Sequence, residues 1–368
     1  AMGMAGIVMS CAPAAGPVLA GGIIDAWGWR MMFWAMIPLA ILVLVVSFFL
    51  LTNVGELKRP HLDVPSIVLS TFAFGGLLYG FSSASTLGWG NLIVIGSIAV
   101  GVIALVWFIH RQLHIDEPLL QLRALKTPTF AYSAIIVTVV NSALAVGSVI
   151  LPIYLQNVLG LTAFETGILM TPGAVATIFL SPISGMLFDK FGPRVIAIVG
   201  LTGLTASLAA LSFVDDKTVV AYLVVFYVIQ SSGLTLANMP VTTWGINALS
   251  NDMIAHGNAI SNTGRQVGGA VSTALIVTVM TMVTAANAEA GPVLSTAAGI
   301  DVAYGISAAV AAIALIIAIL KVRNTKKHTA TALAQVGASG KVEAEAPVKA
   351  TVAVAAACME EATEGALR

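Results

Sequence analysis

The chain has 368 residues, of which 58% are apolar and 9% charged, where a soluble domain carries roughly 25% charge. Mean hydropathy is +0.97 and the formal net charge is zero, so the composition excludes a soluble globular domain and offers no basic surplus for nucleic acid. The two cysteines, Cys11 and Cys358, are too different in setting for a disulfide framework and have no metal-ligand spacing.

The first apolar run, residues 2–22, carries no charged side chain and is long enough to cross the hydrocarbon core. Pro13, Pro17 and several glycines interrupt it and no basic segment precedes it, which argues against a secretory leader. Nine further runs follow at 31–51, 64–86, 92–109, 129–151, 166–186, 195–213, 218–239, 266–284 and 302–320, each free of Asp, Glu, Lys and Arg. Continuous runs of this length are membrane helices rather than barrel strands, which alternate and need about half as many residues. The expected fold class is an all-α integral membrane protein with ten transmembrane helices.

Loop charge then sets the orientation. Lys58 and Arg59, then Arg111, Arg123 and Lys126, then Lys190 and Arg194, then Arg265 fall on alternate connections, and Lys321, Arg323, Lys326 and Lys327 open the tail. The opposite side has only Arg30 and Lys217. The positive-inside pattern puts the first set, the chain start and the C-terminal tail in the cytoplasm of a plasma-membrane protein. The connection 111–128 is the most polar between spans and divides four helices from six. Residues 326–368 form a low-complexity run whose longest apolar stretch, 350–359, is too short to span.

Gly16, Pro17, Val18, Leu19, Ala20 and Gly21, followed by Asp25 and by Trp27, Gly28, Trp29 and Arg30, resemble the antiporter motif in the fifth helix of drug exporters of the major facilitator superfamily. The segment 185–194, with Gly185, Asp189, Lys190, Gly192 and Arg194, is similar to that superfamily's loop signature as it recurs in the second half. Residues 151–156 and 262–269 resemble segments of the fourteen-span drug:proton antiporter branch, the EmrB/QacA type. Two positions depart from the pattern: Ala20 replaces a Gly of the antiporter motif, and Pro193 stands where the loop signature has a basic residue.

The resemblance implies a two-bundle fold lacking its first four helices. Residues 1–51 would be the last two helices of the N-terminal bundle, 52–110 two linker helices, 111–128 a cytoplasmic loop, 129–325 a six-helix C-terminal bundle and 326–368 the tail. It implies export of hydrophobic or amphipathic drug-like compounds by proton antiport through alternating access, as in antibiotic resistance. The partners would be the lipid bilayer, a small hydrophobic substrate and, in the full-length form, protons, with an accessory export subunit left open. An enzyme is not expected, because no phosphate-binding Gly-Lys motif, paired His or Cys cluster occurs. No cofactor or metal is expected either.

Each motif has a functional and a bland reading. Gly16 and Ala20 lie four apart and leave one helix face bare, while Pro13 and Pro17 bend the helix; together they would make a bent interface between the two halves. Ordinary small-residue packing gives the same pattern. Asp189, Lys190 and Arg194 between glycines would form a cytoplasmic gate, though a solvated turn accounts for the basic residues alone. The candidate cavity residues are the amides Asn141, Gln156, Asn157, Gln230, Asn238 and Gln266, with Arg265 at a membrane boundary, since such groups are costly against lipid. Hydrogen bonding between helices explains each of them equally well. Gly76 with Gly80, and Gly264 with Gly268, fit packing pairs.

No expected span holds a carboxylate; Asp25 and Glu165 fall at outer ends and Asp189 at the cytoplasmic boundary. Either proton coupling resides in helices outside the chain, as the resemblance implies, or this chain does not couple protons, and the 368-residue form is expected to be inactive alone. A non-transporting membrane fragment or assembly partner is the alternative from another class, and a proton-independent uniporter or channel is the third reading.

Overall fold

The computed structural model describes residues 16–50, 63–115, 118, 120–214 and 218–323. Among these, nine α-helices follow one another: α1 over 16–27, α2 over Trp29–Leu50, α3 over Val64–Leu87, α4 over Leu92–His114, α5 over Pro128–Asn157, α6 over Ala163–Ala210, α7 over Val220–Ile246, α8 over Ile254–Ala286 and α9 over Pro292–Lys321. Short 3-10 turns precede α5, α8 and α9. Eight helices, α2 to α9, are long and apolar enough to cross a membrane.

These helices differ from the ten expected spans in instructive ways. Residues 2–15 of the first span, like the expected tail, lie outside the described residues. The expected spans 166–186 and 195–213 both fall on α6, which has 48 residues. A straight helix of that length would measure roughly 72 Å, more than twice the hydrocarbon core. It is not straight. Gly192 has φ 77° and ψ 172°, a backbone region that only glycine occupies without strain, and Pro193 follows it.

Contacts with α7 show that the two arms of α6 reverse direction at this point. In the first arm Gly173 lies against Tyr227 and Gly185 against Met239, with Thr177 and Thr235 hydroxyls 3.4 Å apart between them. In the second arm Gly200 meets Ala237, Gly203 meets Gly233, and the Ala210 carbonyl accepts from Tyr222. The first series ascends along both helices and the second descends, so α6 is a hairpin with α7 beside both arms. At Gly200 and Gly233 the backbones touch: a β-carbon on Gly233 would stand 2.6 Å from the Gly200 carbonyl oxygen. Small residues permit this approach, which is how helices associate where lipid supplies no hydrophobic drive.

Helices also run past the apolar stretches. α4 continues to His114, α8 starts at Ile254 rather than 266, and α9 starts at Pro292 rather than 302. Arg111, Arg265 and Asp301 are thereby helical. Each has a local reason. Arg111 forks onto the carboxylate of Asp63, with Nη2 donating at 2.8 Å and Nε at 3.1 Å. Asp301 accepts from the Val214 backbone N–H at 3.2 Å, holding the exit from α6. Arg265 lines a cavity.

The core lies among α5, α6, α7 and α9. Ile136, Ile150 and Tyr154 of α5, Leu201 and Leu204 of α6 and Ile300 of α9 are almost completely buried. Along α9 the residues Ala311, Ala314 and Ala318 are fully buried at spacings of three and four, so this helix presents a smooth face to its neighbours. The α3–α4 hairpin is built the same way. Gly76 and Gly80 face α4 as a packing pair, a β-carbon on Gly76 standing 2.9 Å from the Ser97 carbonyl. α3 docks on α8, where the Trp89 indole donates to the Thr278 hydroxyl at 2.8 Å. By contrast α2 has no buried side chain among its described residues.

At the start of α3, Asp63 accepts from Arg111 and from the Ser66 hydroxyl, and Gln112 donates to Ser66 at 2.7 Å. The Gln112 carbonyl accepts from the Leu120 N–H at 2.9 Å, so the network ties α3, α4 and the following connection together. The Arg111 guanidinium and the Ser66 hydroxyl hold the Asp63 carboxyl at a pKa of about 2.

Candidate functional site

The first helix meets the rest of the chain through the end of its small-residue segment. Its partner is the start of α6. A β-carbon on Gly21 would stand 2.4 Å from the Ala163 carbonyl oxygen, and one on Gly167 would stand 2.5 Å from that of Pro17. Two backbones therefore cross with nothing between them, at positions four apart on each helix. Gly16 has nothing within 4 Å of where its β-carbon would be and is exposed, while Ala20 is half-buried. The expected bare face of Gly16 and Ala20 is thus displaced by one residue: Pro17 and Gly21 carry the crossing. Which face crosses depends on Gly167, a glycine that the spacing in α1 does not reveal.

Beyond Gly21 the two helices are joined by a charge. Asp25 Oδ2 accepts from the Phe164 backbone N–H at 2.8 Å, adding a carboxylate to the positive end of α6. Thr162 and Glu165 already form a reciprocal cap there, so Asp25 supplies a further acceptor from a different helix.

At the far end of the first arm of α6, where the hairpin turns, lies the expected gating segment. Gly185, Asp189 and Lys190 belong to the first arm and only Gly192 departs from helical geometry, so a tight hairpin takes the place of a free loop. Asp189 and Lys190 are exposed. Arg194 donates to the Ile319 carbonyl at 3.3 Å, in the last turn of α9, where free carbonyls favour a cation. Lys321 lies over the Tyr132 ring, 5.3 Å from its centroid, so the starts of α5 and of the second α6 arm and the end of α9 meet here.

Between the two ends is a cavity of about 950 Å³. Its longest walls are α5, through Asn141, Ala145 and Ser148, and α8, through Asn262, Gln266, Gly269 and Thr273. Both sets recur at intervals of three and four and so share one helix face. Gly264 and Gly268 keep α8 close to α5, since a β-carbon on Gly268 would stand 2.4 Å from the Thr138 side chain. Leu78 and Ser82 of α3 close one side, and Pro17, Met170 and Tyr227 complete the wall. The crossing of α1 and α6 therefore borders the cavity.

Three of the expected cavity residues line it: Asn141, Arg265 and Gln266. The Asn141 amide nitrogen donates to the Val137 carbonyl in its own helix at 2.8 Å. Arg265 lies eleven residues into α8, roughly 17 Å from its start, and its Nε is buried without a hydrogen-bond partner.

Four others do not line the cavity. Gln156 and Asn157 are exposed at the end of α5, where a polar helix terminus needs no ligand. Gln230 is buried against Gly147, its Nε2 2.8 Å from where a β-carbon would stand. Asn238 accepts from the Thr242 hydroxyl one turn on, 2.7 Å from its carbonyl. Tyr227, Ser148 and Thr273 line the cavity as well; none is an amide, although helical spacing from Asn141 and Gln266 points to Ser148 and Thr273. Among the described residues no cluster of His, Cys, Asp or Glu suits a metal ion.

The sequence profile of the Major Facilitator Superfamily matches residues 1–273. The chain belongs to this superfamily. As a facilitator-family chain it is a multi-span membrane protein of a transporter family, and its relatives include proteins named for drug resistance. It is 44% identical over 280 residues to the uncharacterized MFS-type transporter YcnB of Bacillus subtilis (strain 168), covering 76% of this chain and 59% of that protein. It is 38% identical over 280 residues to the lincomycin resistance protein LmrB of Listeria monocytogenes, with the same coverage of each. A more distant relative is the tetracenomycin C resistance and export protein of Streptomyces glaucescens, 26% identical over 277 residues, which cover 75% of the chain and 52% of the relative. This facilitator chain thus spans little more than half the length of these relatives.

Proposed function

We propose that the chain is part of an exporter of hydrophobic or amphipathic drug-like compounds, of the fourteen-span branch, that works by proton antiport and alternating access. One observation carries the proposal. The cavity walled by α5 and α8 is bordered by the backbone crossing of α1 on α6, which is where a transporter with two helix bundles needs both a substrate space and a sealed contact between halves. Relatives named for resistance to lincomycin and for export of tetracenomycin C support the substrate class. In this reading α1 and α2 belong to one bundle, α3 and α4 are linker helices, and α5 to α9 form the other bundle.

The same reading places the Gly192 end in the cytoplasm of a plasma-membrane protein. Lys190, Arg194 and Lys321 gather there, and Lys126 immediately precedes α5, as the positive-inside rule favours. Asp25 and Glu165 occupy the other end. None of the described cavity-lining residues is a carboxylate, so the proton carrier of the antiport lies elsewhere than on this wall.

The test is a graft. The matched segment of this chain replaces the corresponding segment of Bacillus subtilis LmrB, which it resembles at 38% identity over 282 residues, and efflux of a hydrophobic dye is followed in cells. Efflux that an uncoupler abolishes supports antiport, and efflux indifferent to it refutes antiport. A folded graft without efflux refutes the exporter reading. The 368-residue chain expressed alone is expected to give none.

A further inference from the structure

The cavity wall is neutral except at one place. Among the described residues that line it, Arg265 alone carries a formal charge, and its Nε is buried with no hydrogen-bond partner. A guanidinium has donors only and cannot be neutralised by losing a proton in a protein. Within a membrane helix such a cation is costly unless something pairs with it. Asn141 and Gln266 on the same wall offer amides, and these cannot neutralise the charge.

We infer that Arg265 makes the cavity selective for amphipathic molecules that carry an anionic acceptor group, a carboxylate or its sulfonate equivalent. The anion takes the guanidinium N–H groups at Arg265, and the apolar body lies against Leu144, Met170 and Val277, which line the same space. The fork of N–H donors matches the two oxygens of a carboxylate, and no described lining residue offers it a carboxylate. A volume of about 950 Å³ accommodates a drug-sized body as well as the acid. The inference rests on the reading of this cavity as the substrate site and adds the chemical class of what enters.

A matched pair of fluorescent probes separates the two ideas: dansylamino-undecanoic acid and its methyl ester, which share one apolar body. Binding is measured to the full chain in zwitterionic lipid discs, with empty discs subtracted. The acid is expected to bind about tenfold more tightly than the ester, as a charge-assisted hydrogen bond allows. Arg265→Gln should remove that preference, and a far-UV circular dichroism spectrum matching wild type shows that the variant is folded. Arg265→Lys should keep part of the preference. Ester binding with no preference for the acid, or a preference that survives Arg265→Gln, overturns the inference and leaves the cavity reading standing. Failure of both probes to bind overturns the cavity reading and the inference with it.

Discussion

The backbone of Pro17 in α1 lies so close to Gly167 in α6 that any β-carbon at residue 167 would stand 2.5 Å from the Pro17 carbonyl oxygen. The contact joins the first described helix to the six-helix body through atoms that cannot move aside like a flexible side chain.

Gly167→Ala and Gly21→Ala are each expected to lower stability by about 1–3 kcal/mol, the usual cost of overpacking. Gly16→Ala, in open space on the neighbouring face, should leave it unchanged. Thermal unfolding in detergent checks the three together. Equal effects at residues 16 and 21 would show that α1 crosses on another face.

Gly192→Ala should destabilise by about 1–3 kcal/mol, because alanine at φ 77° and ψ 172° is strained whatever surrounds it. A stability curve matching wild type would mean that the two arms of α6 turn by some other geometry.

Asp63 gives a pH dependence. Its carboxyl lies at about 2, below the ordinary 3.8, because of Arg111 and Ser66. A depressed carboxylate contributes stability that is fully present above the unfolded value and lost as pH falls through the folded one. Unfolding midpoints should therefore hold down to about pH 4 and fall between there and about pH 2. Asp63→Asn should lose this part of the acid dependence, and an unchanged acid limb in that variant would remove Asp63 as its source.

Trp89 and Thr278 pin the α3–α4 hairpin to α8 through a hydrogen bond of 2.8 Å. Trp89→Phe and Thr278→Val should each cost about 1 kcal/mol, and the double variant should cost less than their sum. Additive losses in denaturation measurements would mean that the two side chains stabilise the protein separately.

Much of the helical layout is legible in the sequence because apolar length is a strong signal. The expected 129–151 corresponds to α5 over Pro128–Asn157, and 64–86 to α3 over Val64–Leu87. Boundaries fail where a helix continues through a charged side chain. Arg265 and Asp301 lie inside helices because a cavity and a loop amide receive them, and neither partner is adjacent in sequence. The antiporter-like segment was legible as a packing surface, yet its operative face was not. Pairs 16 with 20 and 17 with 21 have the same spacing, and only Gly167, far along the chain, decides between them. Among the amides, Asn141 and Gln156 are chemically alike; their depth along α5 separates a cavity wall from an exposed helix end, and composition carries no depth.

The crossing of α1 on α6 is unequal at its two ends. At Pro17 and Gly167 bare backbone meets bare backbone in a dry contact, where separation would leave a void that lipid or another helix must fill. At Asp25 the joint is a hydrogen bond to the Phe164 N–H in an exposed setting, where water can replace either partner as they part. Water can thus compensate a break at Asp25, whereas nothing compensates one at Pro17 and Gly167.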